Sequence, residues 1–221
     1  AEYTVAPFDH CMKVPESMRG KDLPALSEPI ACCVRGVLEQ TDIKPGDKVL
    51  ITGPGFMGLM CNQLAKLCGA YTIISGTPAD KARLELALKQ GADRVVDNGD
   101  DLKKVVEEVT DGGVDIVLEC SGSPYAIPGA LDAIRKQGAW TQVGMYGKDV
   151  TVAMDTINRK ELDFKGTFAT ANSTWEKLVK LYELDKLQLD DYVSARIPLE
   201  NWKEGFEMFQ RKEGIKLFLV P

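Results

Sequence analysis

Histidine is almost missing from this sequence: His10 is the only one in 221 residues. It stands in Phe8-Asp9-His10-Cys11. Histidine and cysteine can both bind metal, but adjacent side chains point apart, so the pair does not read as a metal site. Cys-x-x-Cys pairs are missing too. The six cysteines (Cys11, Cys32, Cys33, Cys61, Cys68, Cys120) match neither a structural zinc pattern nor a secreted disulfide framework. The expectation is reduced, buried thiols in a cytoplasmic protein. No excess of basic charge exists: 27 Lys and Arg stand against 33 Asp and Glu, a net charge of −6, which argues against nucleic acid as a partner. No apolar run approaches the roughly 18 residues of a membrane span, so no membrane is expected as a partner. The opening AEYTVAPFDH has neither the basic nor the apolar region of a secretory signal. There is no internal repeat and no low-complexity segment.

What is present is alternation. Strand-like Val49–Thr52 precedes helix-like Phe56–Leu67, which Gly69 closes. Strand Tyr71–Ser75 precedes helix Ala79–Lys89, and strand Arg94–Val96 precedes helix Leu102–Val109. Strand Val114–Glu119, helix Pro124–Lys136 and strand Ala139–Val143 follow, with Leu162–Phe168 as a sixth strand. Apolar strands alternating with helices predict an α/β fold, a parallel sheet covered on both faces. The pattern fits a doubly wound Rossmann sheet of order 3-2-1-4-5-6, with ligand over the carboxyl ends of the strands. Before it, residues 1–40 are rich in proline until the helical run Ile30–Gln40. After it come an amphipathic helix Thr174–Leu184, an extended segment Asp191–Ile197, helix Leu199–Phe209 and strand Ile215–Val220. The division expected is 1–40, 41–170 and 171–221.

The first turn reads Gly53-Pro54-Gly55-Phe56-Met57-Gly58. A Gly-x-Gly-x-x-Gly between a strand and a helix has a mechanism. Gly53 permits the tight turn, Gly55 lets backbone approach a pyrophosphate, and Gly58 lets helix and strand pack closely. The helix N-terminus adds free N–H groups and a positive dipole end. Small residues also end the other strands, in the turns Ser75-Gly76-Thr77, Glu119-Cys120-Ser121-Gly122 and Val143-Gly144-Met145. They suit a flat dinucleotide, although glycines also follow strands simply as turn formers. The second turn carries no acid at the strand end, where a carboxylate would hold a ribose 2′-hydroxyl. Asp80 reads as the N-cap of the next helix. Ser75, Thr77 and Arg83 lean the reading of NAD(P) toward NADP; the alternative is that they are ordinary turn and solvated helix residues.

Taken in order, SEPIACCVRGV, IKPGDKVLITGPGFMGLMCNQLAKLCGA, RLELALKQGAD, GVDIVLECSG, IRKQGAWTQVG, KELDFKGTF and GIKLFLVP resemble the medium-chain zinc-dependent alcohol dehydrogenases, in the sorbitol/polyol or threonine dehydrogenase-like branch. The resemblance covers essentially the whole chain. It implies hydride transfer between a secondary alcohol or polyol and nicotinamide, with zinc as Lewis acid. It places Gly53, Gly55, Phe56, Met57 and Gly58 at the pyrophosphate, and Ser75, Gly76, Thr77 and Arg83 at the adenosine ribose. Ser121 and Gly122 match the loop after the fourth strand. Val143, Gly144, Met145, Thr167 and Phe168 match segments flanking the nicotinamide. It also implies a homodimer or homotetramer, paired through an edge strand at Val150–Met154.

The match fails at one end. The family's GroES-like catalytic domain, with its zinc cysteine and Gly-His-Glu motif, has no counterpart in these residues. The flanking segments are then expected to be remnants that pack on such a domain, and the chain to be a fragment. No catalytic residue is assigned, and zinc belongs to a full-length enzyme only. One metal-ligand candidate remains, Glu28 in Ser27-Glu28-Pro29; it reads equally well as a carboxylate at a helix N-terminus. Two other classes stay open: a non-catalytic NAD(P)-binding module or sensor, and a methyltransferase using S-adenosylmethionine, which normally needs an acid where Gly76 stands.

Overall fold

The computed structural model describes residues 3–97 and 99–221. The first two residues of the expected 1–40 segment therefore lie outside the described residues. Among the described residues, eight α-helices and eight strands fall into two compact units. One unit is Glu28–Thr174; the other combines the residues before it with Trp175–Pro221.

The larger unit begins with the body of α1 (Ser27–Val34), which runs into a π-helical turn, Arg35–Glu39. Then come β1 (Lys48–Thr52), α2 (Phe56–Leu67), β2 (Tyr71–Ser75), α3 (Lys81–Lys89) and β3 (Arg94–Val96). They are followed by α4 (Gly99–Val109), β4 (Val114–Glu119), α5 (Ala126–Ala133), β5 (Ile134–Gln142), α6 (Met154–Lys160) and β6 (Asp163–Gly166). The sheet order is β3-β2-β1-β4-β5-β6, all parallel, the order the alternation predicts. Val49, Leu50, Ile51, Ile73, Ile74, Val117 and Leu118 are fully buried, as strands covered on both faces must be. The register aligns the strand ends: Ser75 lies beside Thr52, Thr52 beside Glu119, Glu119 beside Gln142 and Gln142 beside Gly166. Four turns therefore leave the sheet along one line.

Three expectations need correction. Helix Pro124–Lys136 ends early: α5 stops at Ala133 and β5 starts at Ile134, with a register shift against β4 between Val114 and Ile116. Two side chains impose that break. Lys160 Nζ donates to the carbonyls of Leu131 (2.6 Å), Asp132 (3.0 Å) and Ile134 (2.5 Å), closing the helix end. Arg135 pairs with Asp115 at 2.7 Å and donates to the carbonyls of Lys136 and Gln137, bracing a kink in which Gln137 has φ 55°. The stretch Val150–Met154 ends earlier than expected: Met154 starts α6, Val150 and Val152 pack on the core, and within the chain no described strand pairs with residues 150–153. The sixth strand is shorter than Leu162–Phe168, ending at Gly166.

Among the described residues the smaller unit holds five short 3-10 turns, Phe8–His10, Glu16–Met18, Leu23–Leu26, Asp190–Tyr192 and Leu199–Asn201. It also holds most of α7 (Asn172–Glu183), then β7 (Val193–Pro198), α8 (Trp202–Gln210) and β8 (Lys216–Val220). β7 and β8 form a two-stranded parallel sheet. Tyr182 ties it together: its hydroxyl bonds to Ser27 Oγ at 3.0 Å and its carbonyl accepts from Ser17 Oγ at 3.0 Å. Arg196 pairs with Asp22.

Candidate functional site

The turn after β1 is built by contact. Gly53 has φ +84°, and a Cβ there would lie 2.7 Å from the Cα of Ser121. Its N–H donates to the carbonyl of Ser75 at 2.7 Å. A Cβ on Gly58 would fall 1.9 Å from the carbonyl oxygen of Gly53, so α2 can lie this close to the turn only with glycine there. Gly55 is different: a Cβ there meets nothing within 4 Å. It is the N-cap of α2 and has no side chain to bond the first turn. An open face thus lies over the N-terminus of a twelve-residue helix. Phe56 beside it is buried, while Met57 turns its carbonyl and sulfur toward the Cys33 thiol, at 3.6 and 3.7 Å.

The second turn is tied to the first. A Cβ on Gly76 would come within 3.0 Å of the Pro54 ring and 3.3 Å of Asp80 Cβ. Asp80 does not act alone as an N-cap. Thr77 is the cap of the turn Pro78–Asp80, and the two residues form a reciprocal box: Thr77 N–H and Oγ donate to Asp80 Oδ2 at 3.0 and 2.7 Å. The other oxygen, Oδ1, faces Arg83 Nη1 at 3.6 Å. Ser75, half-buried at the strand end, leads into this box.

The third and fourth turns meet over Glu119, whose side chain is 0% exposed. The hydroxyl of Thr52 donates to Oε1 at 3.0 Å, as do the N–H of Ser121 at 2.9 Å and the Ser121 hydroxyl. The N–H of Gly122 (3.2 Å) and Gln142 Nε2 (2.5 Å) donate to Oε2. The Glu119 carbonyl accepts from the N–H groups of Val143 and Gly144 at 2.9 and 2.7 Å. A Cβ on Gly144 would lie 2.7 Å from Oε2, and one on Gly122 (φ +58°) would lie 2.5 Å from the carbonyl of Met145. Burial and the Glu119 charge push the nearby Tyr146 phenol up to about 12. The sequence places Glu119 at the start of the third turn but assigns it no role. The available signal is an acid ending a strand whose other residues are nearly all apolar and buried.

Met145 (74% exposed) and Phe168 (76%) present apolar side chains to solvent beside these turns. Thr167 packs its methyl against Gly36, as does Val143, while its hydroxyl is buried with no hydrogen-bond partner among the described residues. The Cys61 thiol interacts with those of Cys33 and Cys120. All six cysteines are free, but their burial varies: Cys33 and Cys61 are buried, and Cys11 is exposed.

Glu28 is exposed on the first turn of α1, with the Cys32 thiol 3.6 Å from Oε1. Burial and that carboxylate push the Cys32 thiol up to about 11. His10 is exposed, in a separate 3-10 turn. Among the described residues no three of His, Cys, Asp or Glu converge on a point that could hold a metal ion. The donor set therefore does not fit zinc, whereas the open face at Gly55 and the aligned turns fit a dinucleotide. No described helix is long and apolar enough to cross a membrane.

Residues 57–183 match the family model described as zinc-binding dehydrogenase. The chain is 37% identical over 198 residues to the D-arabitol-phosphate dehydrogenase of Enterococcus avium, covering 88% of this chain and 56% of the relative. It is 32% identical over 224 residues to the sorbitol dehydrogenase of Halalkalibacterium halodurans, covering 100% and 65%. Among solved structures, a Sinorhizobium meliloti chain bound to NADP superposes with a TM-score of 0.84 at 28% identity, covering 100% of this chain and 65% of that one. The chain thus spans less than two thirds of the length of these relatives.

Proposed function

The chain belongs to the zinc-binding dehydrogenase family, and we propose that residues 41–170 hold NAD(P) for an alcohol or polyol dehydrogenase. In this reading the enzyme moves hydride between a secondary alcohol and nicotinamide. The open face at Gly55 over the N-terminus of α2 carries the proposal. When bound, the nicotinamide supplies the hydride chemistry. This chain's residues bind and orient. Gly53 and Gly58 shape the turn, and Gly55, Phe56 and Met57 offer backbone to a pyrophosphate. Ser121, Gly122, Val143, Gly144 and Met145, with Thr167 and Phe168, border the nicotinamide end.

The finer reading is NADP. No carboxylate ends β2, and the one nearby, Asp80, is engaged by Thr77 and Arg83. Ser75, Thr77 and Arg83 would then face a 2′-phosphate. A similar chain solved with NADP supports this reading. Zinc, with Glu28 near it, belongs to the longer enzyme in this proposal, and the 221 residues alone oxidise no alcohol. Assembly as a homodimer or homotetramer is proposed as well: among the described residues β6 pairs only with β5, so one edge of the sheet stays open to a second strand. Six free cysteines agree with a cytoplasmic setting.

The test is fluorescence titration of the chain with NADPH and NADH. NADPH is expected to bind more tightly; tighter NADH binding reverses the cofactor assignment. Gly55→Val fills the open face without meeting protein atoms at its Cβ, so it is expected to weaken either dinucleotide by more than about tenfold with little change in thermal stability. Unchanged affinity in that variant would falsify the site.

A further inference from the structure

Glu119 is a buried carboxylate without a cation. Every donor around it is neutral: the Thr52 and Ser121 hydroxyls, the Ser121 and Gly122 backbone N–H groups, and the Gln142 amide. Among the described residues no lysine, arginine or histidine pairs with it. Such a group is costly to bury unless something repays it. Hydrogen bonds repay part. Both oxygens accept N–H donors. Its position is specific: Oε2 lies directly under Gly144, against the backbone of the turns after β4 and β5. A ring resting on Val143–Met145 would have this charge beneath it, across the thickness of one loop.

We propose that Glu119 sets the redox preference of the cofactor: its uncompensated negative charge favours the positively charged oxidised nicotinamide over the neutral reduced ring. The inference rests on the cofactor reading given above. It follows from Coulomb's law in a site shielded from water on the protein side. A charge of this kind binds the two redox forms unequally, and unequal binding shifts the potential of the bound cofactor by the same free energy.

The experiment compares dissociation constants for the oxidised and reduced cofactor, using whichever of the NADP+/NADPH or NAD+/NADH pairs the wild-type chain binds more tightly. Titration calorimetry reports the oxidised form and fluorescence the reduced one. Glu119→Gln is expected to lower the preference for the oxidised form about tenfold. Glu119→Asp, which keeps the charge, is expected to leave the ratio near wild type. Gln142→Lys places a cation against the carboxylate and is expected to shift the ratio in the same direction as Glu119→Gln; it decides the matter if Glu119→Gln does not fold. A purely structural role would weaken both forms together, so an unchanged ratio in Glu119→Gln and Gln142→Lys overturns the inference. An equal shift in Glu119→Asp also overturns it, because the ratio would then follow loop geometry instead of charge. If the wild-type chain binds neither pair, the cofactor reading itself fails, and this inference falls with it.

Discussion

The two units bury their strands differently. In the larger one, β1 hides four of its five residues and β4 five of six. In the smaller one, β7 hides one of six and β8 none of five. Both sheets are parallel, so strand direction is not the cause. The larger sheet has helices packed against its central strands, while the smaller has only two strands, served by α8. The outer face of α8 leaves Trp202 and Phe206 about half exposed and Phe209 74% exposed. Apolar content alone therefore does not make a core. A strand is buried when the chain returns elements to both of its faces, and the larger unit does this for its central strands, while its edge strand β6 hides none of its four residues. Substitutions in the larger unit should accordingly be expensive and those on α8 cheap.

The largest expected effect is Gly58→Ala. Its Cβ would fall 1.9 Å from the Gly53 carbonyl oxygen, which is backbone in a turn fixed by Ser75 and Ser121 and cannot step aside like a flexible side chain. Either α2 or the turn must move. A loss of about 3 kcal/mol is expected in chemical denaturation, with dinucleotide binding lost in parallel. A variant as stable as wild type would show that the packing of α2 on the turn is looser than it looks, and would weaken the contrast between the units.

Lys160→Met is expected to cost less, about 1–2 kcal/mol. It removes a cation that satisfies three carbonyls at the end of α5 but keeps most of the apolar stem. The local signature is sharper than the global one: amide exchange should rise at the end of α5 and the start of β5, and not in β1. Uniform exchange across the unit would mean that the cap supports the whole unit and not one junction.

That junction also shows what could and could not be read before the structure. β2, β3 and β4 and helix α2 lie where hydrophobic pattern and flanking glycines place them, because those signals are local. The end of α5 was missed because its cause is not local. Lys160 reaches back 26 to 29 positions and Arg135 reaches Asp115 across the sheet, so a helical pattern continuing through Ile134–Lys136 is overridden by side chains far along the chain. Val150–Met154 alternates like a strand, but its last residue, Met154, is the first of α6, and the neighbour expected for the rest is a second copy of the chain. At the candidate site the four turns were legible as small residues after strands. The role of Glu119 was not, since it depends on Thr52 and Gln142, which only the parallel register brings around it. Asp80 does stand at the N-cap of α3, as its place in the sequence suggests, but its carboxylate bonds Thr77 and Arg83, three positions to either side, and makes no side-chain cap to α3.

The smallest expected effect tests the other side of the comparison. Phe209→Ser, on α8, replaces a ring that is 74% exposed and so removes little buried area. It keeps the helix backbone bonds, and serine near the last turn costs only a few tenths of a kcal/mol in propensity. The expected change in stability of the chain is within about 0.5 kcal/mol, measured by denaturant midpoint. Less of an apolar patch should also mean less self-association at high concentration, read by light scattering. A loss comparable to that of Gly58→Ala would show that the α8 face is covered in solution by another copy of the chain, and the contrast in burial between the two units would then belong to the isolated chain and not to the protein as it assembles.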